Sequence, residues 1–181
     1  MIVQILNECG YFPALLGLSL SYNQDVGKMP AVAERLYNKG MGHNKFLESI
    51  VVWMDISAPR YWWCQMDTYR VGTTKQSEST MHTIMRHPFK TEDFEFGMED
   101  GVLDILNYYR EAKAFDKVKQ ILPESYIQRR VVCTNYMALR NMIAQRMTHK
   151  LPEWMFFCSS ILEQVEHPEF FIDLKERFEN E

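Results

Sequence analysis

The chain has 181 residues, 46% hydrophobic and 24% charged, with a net charge of −4. This composition supports a buried core and excludes a disordered chain, so residues 1–181 are read as a single domain. An acidic total argues against direct nucleic-acid binding, and four cysteines far apart in sequence, with no Cys-x-x-Cys pair, argue against a structural zinc site or a disulfide framework.

The opening MIVQIL reads as a first strand, followed by Pro13 and an apolar helix through Ser21. No Lys or Arg precedes Lys28, so PALLGLSLSY lacks the basic flank of a signal peptide. No apolar run reaches the ~20 residues of a membrane span, and a cytoplasmic protein with no membrane partner is expected. Pro30 starts a helix, AVAERLYNKG, which Gly40 is expected to close. IVVWMDI, rich in β-branched residues, reads as a buried strand.

Pro59 opens a short aromatic helix that places Trp62 and Trp63 in the core or at a subunit interface, with Cys64 read as buried packing. Gln65 to Thr80, QMDTYRVGTTKQSEST, follows as a dense polar loop. Helices are expected over Glu99–Ala112, with apolar positions at Val102, Ile105, Leu106 and Tyr109, and over FDKVKQIL, which stops at Pro123. YIQRRVVCT reads as a strand on which Arg129 and Arg130 face opposite ways. The pattern then turns helical over Asn135–His149 and Glu153–Val165, with Pro152 between. Strands early and helices at both ends predict an α+β (α/β-type) fold, a single antiparallel or mixed sheet covered by helices.

The sequence contains no Gly-x-Ser-x-Gly, Walker loop, His-Glu-x-x-His or Gly-x-Gly-x-x-Gly. The histidines, at 43, 82, 87, 149 and 167, are not spaced for metal ligation, so no metal is expected. Charge is unevenly spread. Between Glu124 and Glu153 there is no carboxylate, while Arg129, Arg130, Arg140, Arg146 and Lys150 fall there, giving +5 against −9 elsewhere. Two readings stay open: a local anionic ligand, or helix faces paired with acids from other elements. Asn141 and Arg146, five apart and so about 140° around a helix axis, can border one cleft.

Four stretches, GHNKFLES, APRYWWCQMDTYRVG, VKQILP, and TNYMALRNMIAQR followed by LPEW, resemble in order the landmarks of the flavin-dependent thymidylate synthases, from about Ser21 to Trp154. Glu48 and Thr68 keep that family's spacing of twenty between its His-to-Glu segment and its Arg-His-Arg signature. Gln65 matches the Gln before the signature, and Arg70 its second Arg. VKQILP matches an Ala-Arg-x-x-Leu-Pro element with Lys119 for the Arg, and Asn135, Asn141 and Arg146 match the late helix. Thr68 and Tyr69 stand where the signature has Arg and His, and Lys75-Gln76 where Asn-Glu follows. The signature Ser falls on Glu78, or on Ser79 with one insertion.

The resemblance implies a homotetramer that binds flavin adenine dinucleotide (FAD) at subunit junctions and stacks a pyrimidine deoxynucleoside monophosphate on the flavin. It further implies methylenetetrahydrofolate as one-carbon donor and NADPH as reductant. Ser21, His43, Glu48, Tyr69, Arg70, Asn135 and Asn141 are then expected at the flavin. Gln65, Glu78, Ser79, Lys119 and Arg146 are expected at the nucleotide, with Arg146 as the catalytic cation and the polar loop as a lid over the phosphate. A pyrimidine hydroxymethylase, or a binding protein that keeps the fold without the chemistry, are the alternatives.

Overall fold

The computed structural model describes residues 1–180. Strands β1 (Ile2–Cys9), β2 (Val51–Pro59), β3 (Thr74–Ser77) and β4 (Ile127–Asn135) form one sheet in the order β1-β2-β4-β3, with every neighbouring pair antiparallel. The α+β expectation holds, in its antiparallel form.

Alternation along the strands decides which face is covered. Val52, Met54, Ile56 and Val132 are fully buried, whereas Trp53 is 40% exposed and Arg129 and Cys9 are exposed. The helices therefore cover one face of the sheet, and the other stays open, which is the pattern of a half-buried antiparallel sheet.

Helix α1 (Tyr11–Tyr22) begins two residues before Pro13, because Gly10, at φ 98°, makes the turn out of β1. A Cβ at Gly10 would collide with the Ser49 carbonyl, so only glycine fits there. Helix α2 (Met29–Leu36) starts as expected at Pro30 but ends well before Gly40. Met41 and Gly42, both at positive φ, turn the chain there instead, and a 3₁₀ turn over Lys45–Ser49 leads into β2.

Helix α3 (Arg60–Met66) buries Trp62 and Trp63 completely. Cys64 is exposed, contrary to expectation, because one residue after two buried tryptophans a helix turns about 100° toward solvent. The polar stretch that follows is not all loop. It contains edge strand β3, with Thr74 opposite Cys133 and Ser77 opposite Arg130, and a short helix α4 (Thr80–Thr83).

Helices α5 (Asp100–Glu111) and α6 (Phe115–Ile121) close a second apolar cluster built on Phe89, Phe94, Leu106, Val118 and Leu122. Helix α7 (Tyr136–Arg146) stops three residues before the expected His149, α8 spans Pro152–Gln164, and α9 (Ile172–Asn180) was not foreseen.

The main core is pinned by a buried polar link. Tyr136, the first residue of α7, donates its hydroxyl hydrogen to Glu8 on β1, whose other carboxylate oxygen accepts from the Glu166 amide at 3.1 Å. Burial raises the Glu8 pKa above its ordinary 4.5, with Tyr136 and the Glu166 amide pulling it back down. A raised carboxyl pKa means that the folded state holds its proton longer than the unfolded chain does. Stability is therefore fully present below about pH 4.5 and is lost as pH climbs through the raised value. Glu8→Gln removes this titration. Denaturation midpoints measured from pH 4 to 8 are expected to rise for the variant relative to the parent as pH increases; parallel curves would show that Glu8 titrates normally.

Candidate functional site

The polar segment after α3 is held by side-chain bonds both to its own backbone and to β4. The Asp67 carboxylate accepts from Arg130 Nη1 at 2.9 and 3.0 Å, and Lys75 Nζ donates to the Tyr69 carbonyl at 2.7 Å, lying 3.6 Å from Asp67. Burial depresses the Lys75 pKa, and Asp67 counteracts it. The Thr73 and Thr134 hydroxyls meet at 2.9 Å. Gly72 takes φ 62°, and a Cβ there would lie 2.6 Å from Asn135 Nδ2, so both backbone and space favour glycine. The Arg70 carbonyl accepts from the Thr73 amide at 3.3 Å, but among the described residues its side chain makes no hydrogen bond or ion pair, and it is exposed.

This ordered loop carries Tyr69 to the end of α7. Arg146 Nε donates to the Tyr69 hydroxyl at 2.8 Å, and that hydroxyl donates to Gln145 Oε1 at 3.0 Å. Arg146 Nη1 reaches Gln65 Oε1 at 3.4 Å, and its guanidinium lies 4.9 Å from the centre of the Trp154 ring. Arg146 is thus half-buried against neutral groups, and it forms no ion pair among the described residues. Its charge remains available to an anionic or carbonyl-bearing guest. The nearby His149 has its pKa held below the ordinary value by burial and then by the charges of Arg146 and Lys150.

One cavity is bordered by Tyr69 and Gln145 of this group, and a second shares a wall residue with it. The first, of about 470 Å³, is lined by Glu48, Tyr69, Arg70, Asn135 and Asn141 together with Gln145. A larger one of about 910 Å³ is lined by Ser21, His43 and Glu48, with α1 as one wall. Glu48 belongs to both walls, so all seven residues expected at a flavin border one cavity or the other. Asn135 has a second duty, since its side-chain oxygen accepts from the Ala138 amide and caps α7.

The residues expected at the nucleotide divide. Gln65 and Arg146 are joined as described. Lys119 instead donates to Thr80 Oγ1 at 2.8 Å, at the start of α4, beside Ser79. Glu78 lines a different cavity of about 460 Å³ with Arg86, Lys90 and Tyr126. Glu78 follows directly on edge strand β3, and its cavity is lined by no residue of the Arg146 group. Much of the segment read as a phosphate lid is therefore structural; residues 68–72 line one cavity, and Arg70 is the cation among them. Gln145, Gly72 and Trp154 belong to the site without having been singled out; Gln145 carried only its position beside Arg146 as a signal.

No protein-family model matches the chain, and no curated protein sequence matches it. Solved structures do share its fold. Two crystal structures of the flavin-dependent thymidylate synthase ThyX from Helicobacter pylori with FAD and dUMP superpose with a TM-score of 0.81 at 19% identity, covering 96% of this chain and 99% of theirs. The UMP/dUMP methylase PolB from Streptomyces cacaoi, bound with 5-Br dUMP, superposes with a TM-score of 0.68 at 12% identity, covering 95% of this chain and 94% of its own.

Tyr69→Phe deletes the hydroxyl shared by Arg146 and Gln145 while keeping the ring. A loss of about 1 kcal/mol in urea denaturation is expected, since half-buried Arg146 is left short of one bond, whereas exposed Gln145 can turn to water.

Proposed function

We propose that this chain is a divergent member of the flavin-dependent thymidylate synthase family, a single-domain enzyme that transfers a one-carbon unit to C5 of a pyrimidine deoxynucleoside monophosphate. The observation that carries the reading is the Arg146 guanidinium, half-buried, paired with no carboxylate among the described residues, and bonded to Tyr69, which itself lines a cavity with polar groups suited to a flavin and a nucleotide. Support comes from the shared fold with proteins solved with FAD and dUMP or with 5-Br dUMP, and from the order of matching segments in the sequence.

The residues present fit the cofactor. The two cavities share Glu48 and together offer an extended space with an apolar wall on α1 and polar groups at Ser21, His43, Asn141 and Arg70. Reduced FAD supplies hydride when bound, with NADPH as its reductant and methylenetetrahydrofolate as the one-carbon donor. The chain's own part is binding and polarisation. Arg146 meets an oxygen of the base and stabilises the negative charge that develops on the ring, a form of electrostatic catalysis. Gln65 orients the guanidinium, and Arg70 attracts a phosphate at the cavity mouth.

A homotetramer completes this picture. Glu78, Ser79 and Lys119 lie away from Arg146 in one chain, and in this reading a second copy supplies them at the junction. The open face of the sheet, with Ile2 and Trp53 exposed, is available for such contact.

The purified protein is expected to take up FAD, turn yellow, and form a C5-substituted product from dUMP when given methylenetetrahydrofolate and NADPH. Arg146→Ala is expected to keep FAD and lose turnover by about 100-fold or more. FAD and dUMP uptake without any product would instead favour the binding-protein alternative, and failure to bind FAD at all would overturn the reading.

A further inference from the structure

We propose that Trp154 is a positioning residue for the nucleotide site, acting through Arg146; the proposal rests on the reading of Arg146 given above. Trp154 is completely buried, and its ring is clamped by Trp62 at 4.7 Å, Phe157 at 5.6 Å and Tyr69 at 6.0 Å between centroids. Packing of this kind fixes the indole plane. The guanidinium of Arg146 lies over that fixed plane.

The polar end of the same indole fixes a second coordinate. Trp154 Nε1 donates to Gln65 Oε1 at 2.8 Å, and that oxygen is the one which accepts from Arg146 Nη1. One side chain thus supplies the surface beneath the guanidinium and anchors the group that holds it in its plane. With Nε committed to Tyr69 and Nη1 to Gln65, Nη2 makes no hydrogen bond among the described residues and is the donor left for a ligand.

A tryptophan that merely filled the core would still need an acceptor for its N–H, as Trp63 finds in the Gln128 carbonyl, but any acceptor would serve. Sharing the Gln65 oxygen with Arg146 is what separates a positioning role from a packing role. The gain is preorganisation: an arginine side chain otherwise loses much rotamer freedom when it engages a ligand, and here that ordering is already done.

The test is a double-mutant cycle on dUMP affinity, read by titration calorimetry with FAD-supplemented full-length protein. Trp154→Leu removes both the ring and the donor, and Trp154→Phe removes the donor while keeping an aromatic face. With Arg146 present, Trp154→Leu is expected to raise the Kd for dUMP about 3- to 30-fold, and Trp154→Phe to raise it less. With Arg146→Ala, both substitutions are expected to change the Kd by less than about twofold, because the group through which they act is gone.

Circular dichroism checks that each variant folds, and the Trp154→Phe arm carries the cycle if Trp154→Leu does not. Losses of equal size with and without Arg146, or no loss with it, would overturn the positioning role while an Arg146→Ala defect still upheld the site. Wild-type dUMP affinity in Arg146→Ala would overturn both.

Discussion

A guanidinium held by neutral partners is the constraint on which the site depends. Arg146 comes from the last turn of α7, Tyr69 from the loop after α3, Gln65 from α3 itself, and Trp154 from α8. Bringing a cation into a half-buried place without a carboxylate costs solvation that the Tyr69 hydroxyl, the Gln65 carbonyl and the indole face return only in part. Such an arrangement makes physical sense where a negatively charged or strongly polarised group is meant to complete it.

Holding that group still is the task of the fold around α7. At the start of the helix, Asn135 caps it, the Tyr136 amide donates to the Ile50 carbonyl at 3.0 Å, and the Tyr136 hydroxyl is bound to Glu8. Along its length, Arg140 pairs with Asp173 of α9 at 2.8 and 2.9 Å and also reaches the Phe170 carbonyl. The helix is therefore tied to β1, to the turn before β2 and to α9 before Arg146 emerges at its other end. A displacement at Glu8 or Asp173 would be transmitted through a packed helix rather than absorbed by a loop.

How much of this was legible depended on where the signal came from. The long strands announced themselves by β-branched runs, and the core tryptophans by their place after Pro59. Strand β3 did not, because TKQS sits at an edge and has no apolar alternation; what makes it a strand is pairing with β4, a contact distant in sequence. The end of α2 was misplaced for a similar reason. Gly40 suggested a cap, yet the chain leaves the helix earlier and uses Met41 and Gly42 for the turn. At the site, Arg146, Glu48 and Asn141 were legible through motif order, whereas Trp154 was visible only as a landmark, since nothing in LPEW tells which face of its indole an arginine will cover.

The uneven charge of the segment after Glu124 gives the same lesson in electrostatic terms. Two readings were open, a local anionic ligand or pairing with distant acids, and three of the arginines follow the second. Arg129 binds Asp55 across the sheet, and this contact holds the Asp55 carboxyl below its ordinary pKa. Arg130 binds Asp67 and lies over Trp63, and Arg140 binds Asp173. Each of these acids lies outside the acid-free segment, so charge segregated along the chain is largely neutralised in space. Arg146 is the residue of this group that meets hydroxyl, amide and indole instead of carboxylate. A basic run in sequence thus carries little information by itself; what identifies a binding cation is the identity of its folded neighbours, and those are set by α3 and α8, elements some eighty residues and less than ten residues away in sequence respectively.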